Sequence, residues 1–284
     1  MNLSDKYIIR KILNNNVVIS EDKDGKEIII TGQGVGFNKK IRSVIDSEKI
    51  YKIYDLRNNG FKHRFEVLLN EIPFDCLRLS EQIIDFSEEK LHKKLNQNLI
   101  IALADHINFA VTQNRNGRNS AINMNDEIKR LYKEEYQVSK EIVEMINDYY
   151  HITLSKNEIA SIAFHLINAE LNTNPNETTM IINATNEILH IIEQTLDIKL
   201  AEESLSYSRL VIHLKYFILR AFSEEKESDS FDGIWFNEEN EEYQRISVCL
   251  ENIQDYLNQT FHINLEASER MYLMIHIMRV LQTL

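Results

Sequence analysis

The chain has 284 residues, of which 43% are hydrophobic, and it carries a formal net charge of −12 at pH 7. A chain of this length is expected to form two or three domains. With only 2 prolines and 7 glycines it is expected to be mostly helical, because both residues interrupt helices. The two cysteines lack a metal-like spacing, no apolar run approaches the roughly 18 residues of a membrane span, and the N-terminus lacks a signal-peptide pattern. We therefore expect neither a secreted disulfide protein nor a membrane protein.

Residues 1–56 differ from the rest of the chain in charge and in pattern. They hold 10 Lys and Arg against 8 Asp and Glu, whereas the remainder carries a net charge of about −14. Since an acidic protein repels nucleic acid, this segment is where nucleic acid would bind. Asp24-Gly25 predicts a two-residue hairpin turn between strands. The β-branched and aromatic runs that predict strands are YIIRKIL, NVVIS, KEIIITG and KIYKIYDL.

A glycine-rich stretch follows the third of these predicted strands. Gly32-Gln33-Gly34-Val35-Gly36 leads into Phe37, Asn38 and two lysines. The spacing fits neither the dinucleotide fingerprint nor a P-loop. One interpretation is a bulged turn at the end of a strand. The other is an RNA surface, where an aromatic ring stacks on a base, an amide reads a base edge and lysines bind phosphates.

Helical spacing begins at Phe65, after a polar linker predicted at residues 56–60. Leu99, Leu103, His106 and Ala110 recur at helical intervals, so His106 lies on the apolar side of its helix. The other helices predicted in this half of the chain cover residues 77–95, 122–136, 139–150 and 155–171.

The start of the last of these helices carries a capping-box pattern, Ser155 followed by Glu158. Residues 172–176 form a second predicted linker because Asn and Pro stop helices. An acidic stretch at residues 223–242 favours either a solvated loop or a mobile loop beside a functional site.

The chain contains an internal repeat that includes four histidines. Residues 152–171 return as residues 263–282 at an offset of 111, which superposes Glu158 on Glu269 and His165 on His276. The segment around His106 returns around His213 at an offset of 107. The repeat predicts a duplicated domain of roughly 105 residues, each copy with two histidines at similar spacing.

A single histidine on an apolar helix face is usually a satisfied core residue, whereas two repeated pairs allow three kinds of chemistry. Metal binding requires ligands at short local spacing, and the sequence lacks them. General-base catalysis requires a nucleophile or paired carboxylates, and we find no such set in both copies. Reversible phosphoryl acceptance requires only imidazole, which is nucleophilic near neutral pH, and suits a switch. His151 and His262 also recur, and we expect a structural role for them.

Together these segments resemble the transcriptional antiterminators of the BglG/SacY/LicT type over essentially the whole chain. The motifs that carry the resemblance are KILNNNVV at 11–18, GQGVGFNKK at 32–40, EIPFDCLRLS at 71–80, DHINFA at 105–110, FHLINAEL at 164–171, HLKYF at 213–217 and YLMIHIMRV at 272–280.

The resemblance implies a multidomain fold. It consists of a small all-β RNA-binding domain at 1–56, a four-stranded antiparallel sheet that dimerises face to face, followed by two homologous all-α bundles. These bundles are the phosphotransferase-system (PTS) regulation domains, placed at 65–171 and 178–284.

The resemblance also implies a function in which the dimer binds a leader-mRNA hairpin and prevents an overlapping terminator from forming. The implied RNA contacts are Lys11, Asn16, Gly32, Gln33, Phe37 and Asn38. The implied phosphorylation sites are His106, His165, His213 and His276. A sugar permease would phosphorylate the first domain and inhibit the protein. The phosphocarrier HPr would phosphorylate the second domain and activate it.

The resemblance further implies a cytoplasmic homodimer without catalytic residues, metal or cofactor. The alternative is a PTS-regulated DNA-binding activator, which would carry a helix-turn-helix before residue 56. A third class, a histidine-metal hydrolase, would require a bound metal.

Overall fold

The computed structural model describes residues 7–56, 59–117, 125–222 and 241–282. Most of the predicted acidic stretch, residues 223–240, lies outside these ranges. Contacts within the chain divide it into two units. Unit 1 comprises Met1–Asn123 and Glu134–Asn172, and unit 2 comprises Met124–Lys133 and Thr173–Leu284.

The predicted N-terminal sheet is confirmed. Its strands pair antiparallel in the order β1-β2-β3-β4 and cover Lys11–Asn14, Val17–Glu21, Glu27–Thr31 and Lys52–Asp55. The two-residue turn predicted between β2 and β3 is wrong, because the strands stop at Glu21 and resume at Glu27. Asp22 shapes this longer loop by accepting hydrogen bonds from the backbone N–H groups of Asp24 and Lys26, both at 2.9 Å.

Both faces of the sheet are covered by other parts of unit 1. Because successive side chains of a strand point to opposite faces, each strand supplies apolar side chains to both. On one face, Val18, Ile28 and Ile30 pack against Tyr7, Ile9, Val35 and Ile45. On the other face, the apolar side chains join the core of the helical part of the unit, and they are Val17, Ile19, Ile29 and Tyr54.

The chain contains ten helices within the residues that the structure describes. In chain order, α1 to α10 cover Asn59–Glu71, Phe74–Leu91, Leu99–Arg115, Asn125–Leu131, Lys133–Tyr150, Asn157–Leu171, Pro175–Leu196, Leu205–Phe222, Glu241–Phe261 and Ala267–Leu281. None of them is long and apolar enough to cross a bilayer.

Helix α1 starts inside the segment predicted as a polar linker, so that prediction is wrong. Phe61 and Phe65 are completely buried, and their ring centroids lie 6.0 and 5.3 Å from that of Tyr54 on β4. Burial of two large aromatic side chains outweighs the helix-breaking tendency of Gly60. The sheet therefore continues almost directly into a packed helix.

A buried carboxylate also joins the sheet to α2. Glu81 is 4% exposed and accepts hydrogen bonds from the hydroxyl groups of Thr31, at 2.6 Å, and Tyr54, at 2.9 Å. Burial raises the pKa of Glu81 because desolvation disfavours the charged form, while these two hydrogen bonds act in the opposite direction.

The single helix predicted at 122–136 is wrong. The helix is interrupted at Tyr132, which separates the shorter helix α4 from α5, and α4 belongs to unit 2. Ile128 and Leu131 of α4 are buried. The ammonium of Lys215 on α8 donates to the Leu131 carbonyl at 2.6 Å and lies 3.5 Å from the centroid of the Tyr132 ring. Partners far away in the sequence thus determine where this helix ends.

Helix α7 begins at Pro175, earlier than the predicted start of the second copy at 178. Asn174 caps it by accepting from the backbone N–H groups of Asn176 and Glu177, and the Glu177 side chain accepts from the Asn174 N–H. This reciprocal capping box leaves only residues 172–174 between α6 and α7.

Candidate functional site

The glycine stretch forms the turn that leaves β3, and its glycines are sterically required. A Cβ atom on Gly32 would lie 1.8 Å from the carbonyl oxygen of Lys49, and one on Gly36 would lie 2.5 Å from that of Asn14. Gly34 has φ +69, a conformation that favours glycine. The turn interpretation therefore explains the glycines from contacts within the chain.

Asn16 fixes this turn from the neighbouring turn between β1 and β2. Its side-chain oxygen accepts from the Gly34 N–H at 2.8 Å, and its backbone carbonyl accepts from the Gly32 N–H at 2.9 Å. Both Asn16 and Gly32 were predicted to contact RNA. In this structure both residues shape the turn, because Gly32 is buried and the Asn16 side chain is hydrogen-bonded to Gly34.

The other four predicted RNA contacts are exposed. Phe37 leaves 57% of its surface uncovered, which is unusual for so large an apolar side chain. Asn38, beside it, adopts a left-handed backbone conformation with φ 54. Gln33 accepts from the Tyr51 hydroxyl at 3.4 Å, and Lys11 forms an ion pair of 3.0 Å with Glu66.

In unit 1, the predicted histidines of the first copy come together. The rings of His106 on α3 and His165 on α6 have centroids 4.9 Å apart. The Nε2 atom of His106 lies 2.8 Å from Oε2 of Glu158, a carboxylate that is almost fully buried. A carboxylate at Nε2 holds the ring proton on that nitrogen, so the lone pair is on Nδ1.

The capping box predicted from Ser155 and Glu158 is wrong. The N-cap position of α6 is Lys156, which makes no side-chain cap bond, and the Glu158 carboxylate points to His106 instead. Glu158 was not predicted as a site residue from the sequence motifs. The available signal was its recurrence as Glu269 in the second copy.

In the first pair, the environment of His165 disfavours a charged ring. Burial, followed by the neighbouring His106, lowers the pKa of His165 to about 3. His165 is therefore neutral at physiological pH and retains a nucleophilic lone pair.

In unit 2, the second pair has a related arrangement. His213 on α8 and His276 on α10 stack with centroids 5.2 Å apart, and the Tyr272 ring lies 5.6 Å from that of His213. Oε2 of Glu269 lies 3.3 Å from Nε2 of His213. The other carboxylate oxygen, Oε1, is bound by Arg220 at 2.5 Å.

The second glutamate is thus shared between two partners. Burial acts to raise the pKa of Glu269, but His213 and Arg220 outweigh it and lower that pKa. The carboxylate of Glu269 consequently stays charged within the site.

The remaining histidines have other environments. His151 and His262 follow α5 and α9 with φ 53 and 58, which agrees with the structural role expected for them. No group of three or more His, Cys, Asp or Glu side chains in the described ranges is placed to hold a metal ion.

Comparison with protein families matches residues 7–62 to the CAT RNA binding domain, and residues 81–169 and 186–280 to the PRD domain. The chain belongs to the CAT–PRD family of antiterminators. This confirms the family predicted from the motifs.

Two curated relatives span nearly the same length. The transcription antiterminator LicT of Bacillus subtilis (strain 168) is 36% identical over 274 residues, which cover 96% of this chain and 99% of that protein. The beta-glucoside operon antiterminator of Dickeya chrysanthemi is 33% identical over 275 residues, 96% of each chain. A crystal structure of GlcT CAT-PRDI superposes with a TM-score of 0.54 at 32% identity, covering 58% of this chain and 99% of that one.

We predict that Gly32→Ala destabilises the protein by about 3 kcal/mol or more, because the new methyl group meets backbone atoms that cannot move away. Urea unfolding of the full chain measures this. Gly25→Ala is the control: no atom lies within 4 Å of its Cβ, and only its φ of +76 opposes alanine. We expect about 1 kcal/mol there. Equal losses in the two variants contradict the steric explanation.

A second prediction concerns pH. Because the folded-state pKa of His165 lies below its ordinary value, the unfolded chain takes up this proton first as the pH falls below about 6.5. The stability associated with neutral His165 is therefore lost progressively between about pH 6.5 and 3. His165→Asn should reduce the loss of unfolding free energy between pH 7 and 5 by on the order of 1 kcal/mol. The exposed His63, changed to Asn, serves as the control, and identical pH profiles for all three proteins refute the prediction.

Proposed function

We propose that this chain is a transcriptional antiterminator that binds a hairpin in a leader mRNA as a dimer. Binding prevents an overlapping terminator from forming in a sugar-utilisation operon. The observation that carries the proposal is the exposed Phe37 beside Asn38 on a glycine-shaped turn, within the region that matches a CAT RNA-binding domain. A stacking ring and a free amide next to lysines are suited to unpaired bases of RNA.

The six predicted RNA-binding residues divide into two roles. Gly32 and Asn16 shape the turn, whereas the exposed residues make the contacts, namely Lys11, Gln33, Phe37 and Asn38. Lys11 exchanges its partner Glu66 for a phosphate when RNA binds.

The DNA-binding alternative lacks support. Residues 7–56 consist of four strands and a single 3-10 turn at Ser47–Lys49, with no α-helix among them, so the helix-turn-helix required by that alternative is absent from this described segment.

Dimerisation is part of the proposal. Ile8, Ile41 and Val44 expose 45%, 63% and 48% of their surfaces, and Ile8 and Val44 are bridge partners. Exposed apolar side chains that lie together favour association with a second copy. The proposed domain limits are 1–56 for RNA binding, and 65–171 and 178–284 for the regulation domains.

The histidine pairs form the switch. In the first pair, the Nδ1 lone pair of His106 attacks the phosphorus of a phosphorylated donor and forms an N–P bond. The donor's own bond to phosphorus breaks, and its electron pair returns to the donor. The ring becomes positively charged, and Glu158 at Nε2 offsets that charge. The proposed donors, both acting in the cytoplasm, are HPr and a sugar-specific permease, and no cofactor takes part.

For RNA binding, we predict that Phe37→Ala weakens the affinity of the full chain for a leader-type hairpin with two internal loops by at least about 10-fold. Stacking on one base contributes roughly 1–3 kcal/mol. A gel shift at modest, fixed salt measures the affinity. Tyr149→Ala, which removes a comparably exposed aromatic ring outside the matched RNA-binding region, should bind as well as the wild type. Unchanged binding by Phe37→Ala refutes the proposed surface.

For the switch, we predict that His106→Asp weakens antitermination several-fold in a reporter strain, because it adds a negative charge beside the buried Glu158. His63→Asp places the same charge on an exposed residue of α1 and should leave reporter activity unchanged. Constitutive activity of His106→Asp reverses the proposed sign of regulation.

A further inference from the structure

The two histidine pairs share the same three residue types but differ in the charges around them. In unit 1, His106 and Glu158 satisfy each other through a hydrogen bond of 2.8 Å. In unit 2, Arg220 binds Glu269, and the distance from Glu269 to His213 increases to 3.3 Å.

Two more arginines act on the second pair. Burial, the His213 ring, and the positive charges of Arg279 and Arg209 all lower the pKa of His276. Arg209 belongs to α8 and Arg279 to α10, so cations on both helices influence the ring. At the repeat offsets of 107 and 111 residues, the three arginines Arg209, Arg220 and Arg279 correspond to the neutral residues Ala102, Gln113 and Asn168 of the first copy.

The acidic residues differ in the opposite sense. Asp105, next to His106, is exposed on α3, and the second copy has Ile212 at the corresponding position. The cation near the end of α3, Arg115, lies over the Tyr150 ring at 5.8 Å. A negative group on either pair therefore lies beside a carboxylate, Glu158 or Glu269, but Glu269 is itself paired with Arg220.

The second pair also contains a buried polar atom without a partner. Among the described residues, His276 Nδ1 is buried and has no hydrogen-bond partner. The buried atoms His213 Nε2 and Glu269 Oε2 lie 3.3 Å apart and have only each other as partners. A buried polar atom without a partner costs free energy, and an additional polar group bound at His276 would remove that cost.

We propose that the second histidine pair is an oxyanion site, in which Arg220 binds the phosphoryl group carried by His213 or His276. Arg209 and Arg279 add to the positive potential. The first copy has neutral residues at the three corresponding positions, so a phosphoryl group on its pair meets no arginine there. The proposal rests on the proposed function, in that the histidines accept phosphoryl groups. It assigns opposite electrostatic consequences to the same modification in the two copies.

Phosphoramidate, a small phosphoryl donor, tests this without a protein partner. A ring nitrogen's lone pair forms the N–P bond while the P–N bond of phosphoramidate breaks, and the departing ammonia takes up the proton that the ring loses. The full-length chain is treated with phosphoramidate, and the 31P chemical shift of each phosphohistidine is followed against pH. Variants with both histidines of one pair changed to Asn assign the signals to the other pair.

We expect the phosphohistidine of the second pair to become dianionic at a lower pH than that of the first, because nearby cations favour the charged form. Arg220→Gln, which installs the residue of the first copy, should raise that midpoint by about half a pH unit or more. Arg220→Lys keeps the charge and should retain the low midpoint. The reciprocal Gln113→Arg should lower the midpoint of the first pair, whereas Arg115→Gln should leave it unchanged.

The outcomes separate the two proposals. If no phosphohistidine forms on the four histidines, both the switch and the oxyanion site are wrong. If phosphohistidines form but the two midpoints coincide and neither exchange moves them, the oxyanion site is refuted while the switch remains. Because Arg220 is half exposed, we expect Arg220→Gln to fold, and its melting temperature checks this. Gln113→Arg provides an independent test in the other unit.

Discussion

The convergence of two histidines where a pair of helices packs together is the interaction on which both regulation units depend. In unit 1 the rings come from α3 and α6, and in unit 2 they come from α8 and α10. Apolar side chains beside them pack the helices, so each ring lies at the margin of a core where water screens charge weakly. A phosphoryl group added there introduces nearly two negative charges into a packed boundary. A small covalent change can therefore alter how two helices pack.

In the proposed oxyanion site, the sign of that effect depends on the charges around the histidines rather than on the histidines themselves. The two copies share one scaffold, and at three positions around the histidines the second copy has arginines where the first has neutral residues. Glu269 illustrates the difference, because its carboxylate divides between a ring and a guanidinium, whereas Glu158 binds a ring alone. The proposed opposite effects of phosphorylation on the two domains require no difference in fold between them.

The sequence was sufficient for the features that are local or repeated. Alternating β-branched runs predicted the four strands, and the repeat offsets identified both histidine pairs, because repeated spacing constrains the arrangement more than any single residue does. The predictions that were wrong involve contacts between distant segments. Glu158 fits a local capping pattern, but its partner lies 52 residues away. Likewise, Gly60 suggests a linker, and only the packing of Phe61 and Phe65 on Tyr54 makes a helix stable there.

Helix α4 lies between α3 and α5 in the sequence but belongs to unit 2. The boundary between the two units therefore does not coincide with a single position in the sequence. A fragment that ends at Asn172 retains α4 and loses α7 and α8, against which it packs. Ile128, Leu131 and Tyr132, none more than 5% exposed in the whole chain, would then meet water. Such a fragment acquires an apolar surface that the intact protein lacks. Self-association of the isolated first half would therefore have two sources, the newly exposed apolar surface of α4 and any native dimer contact.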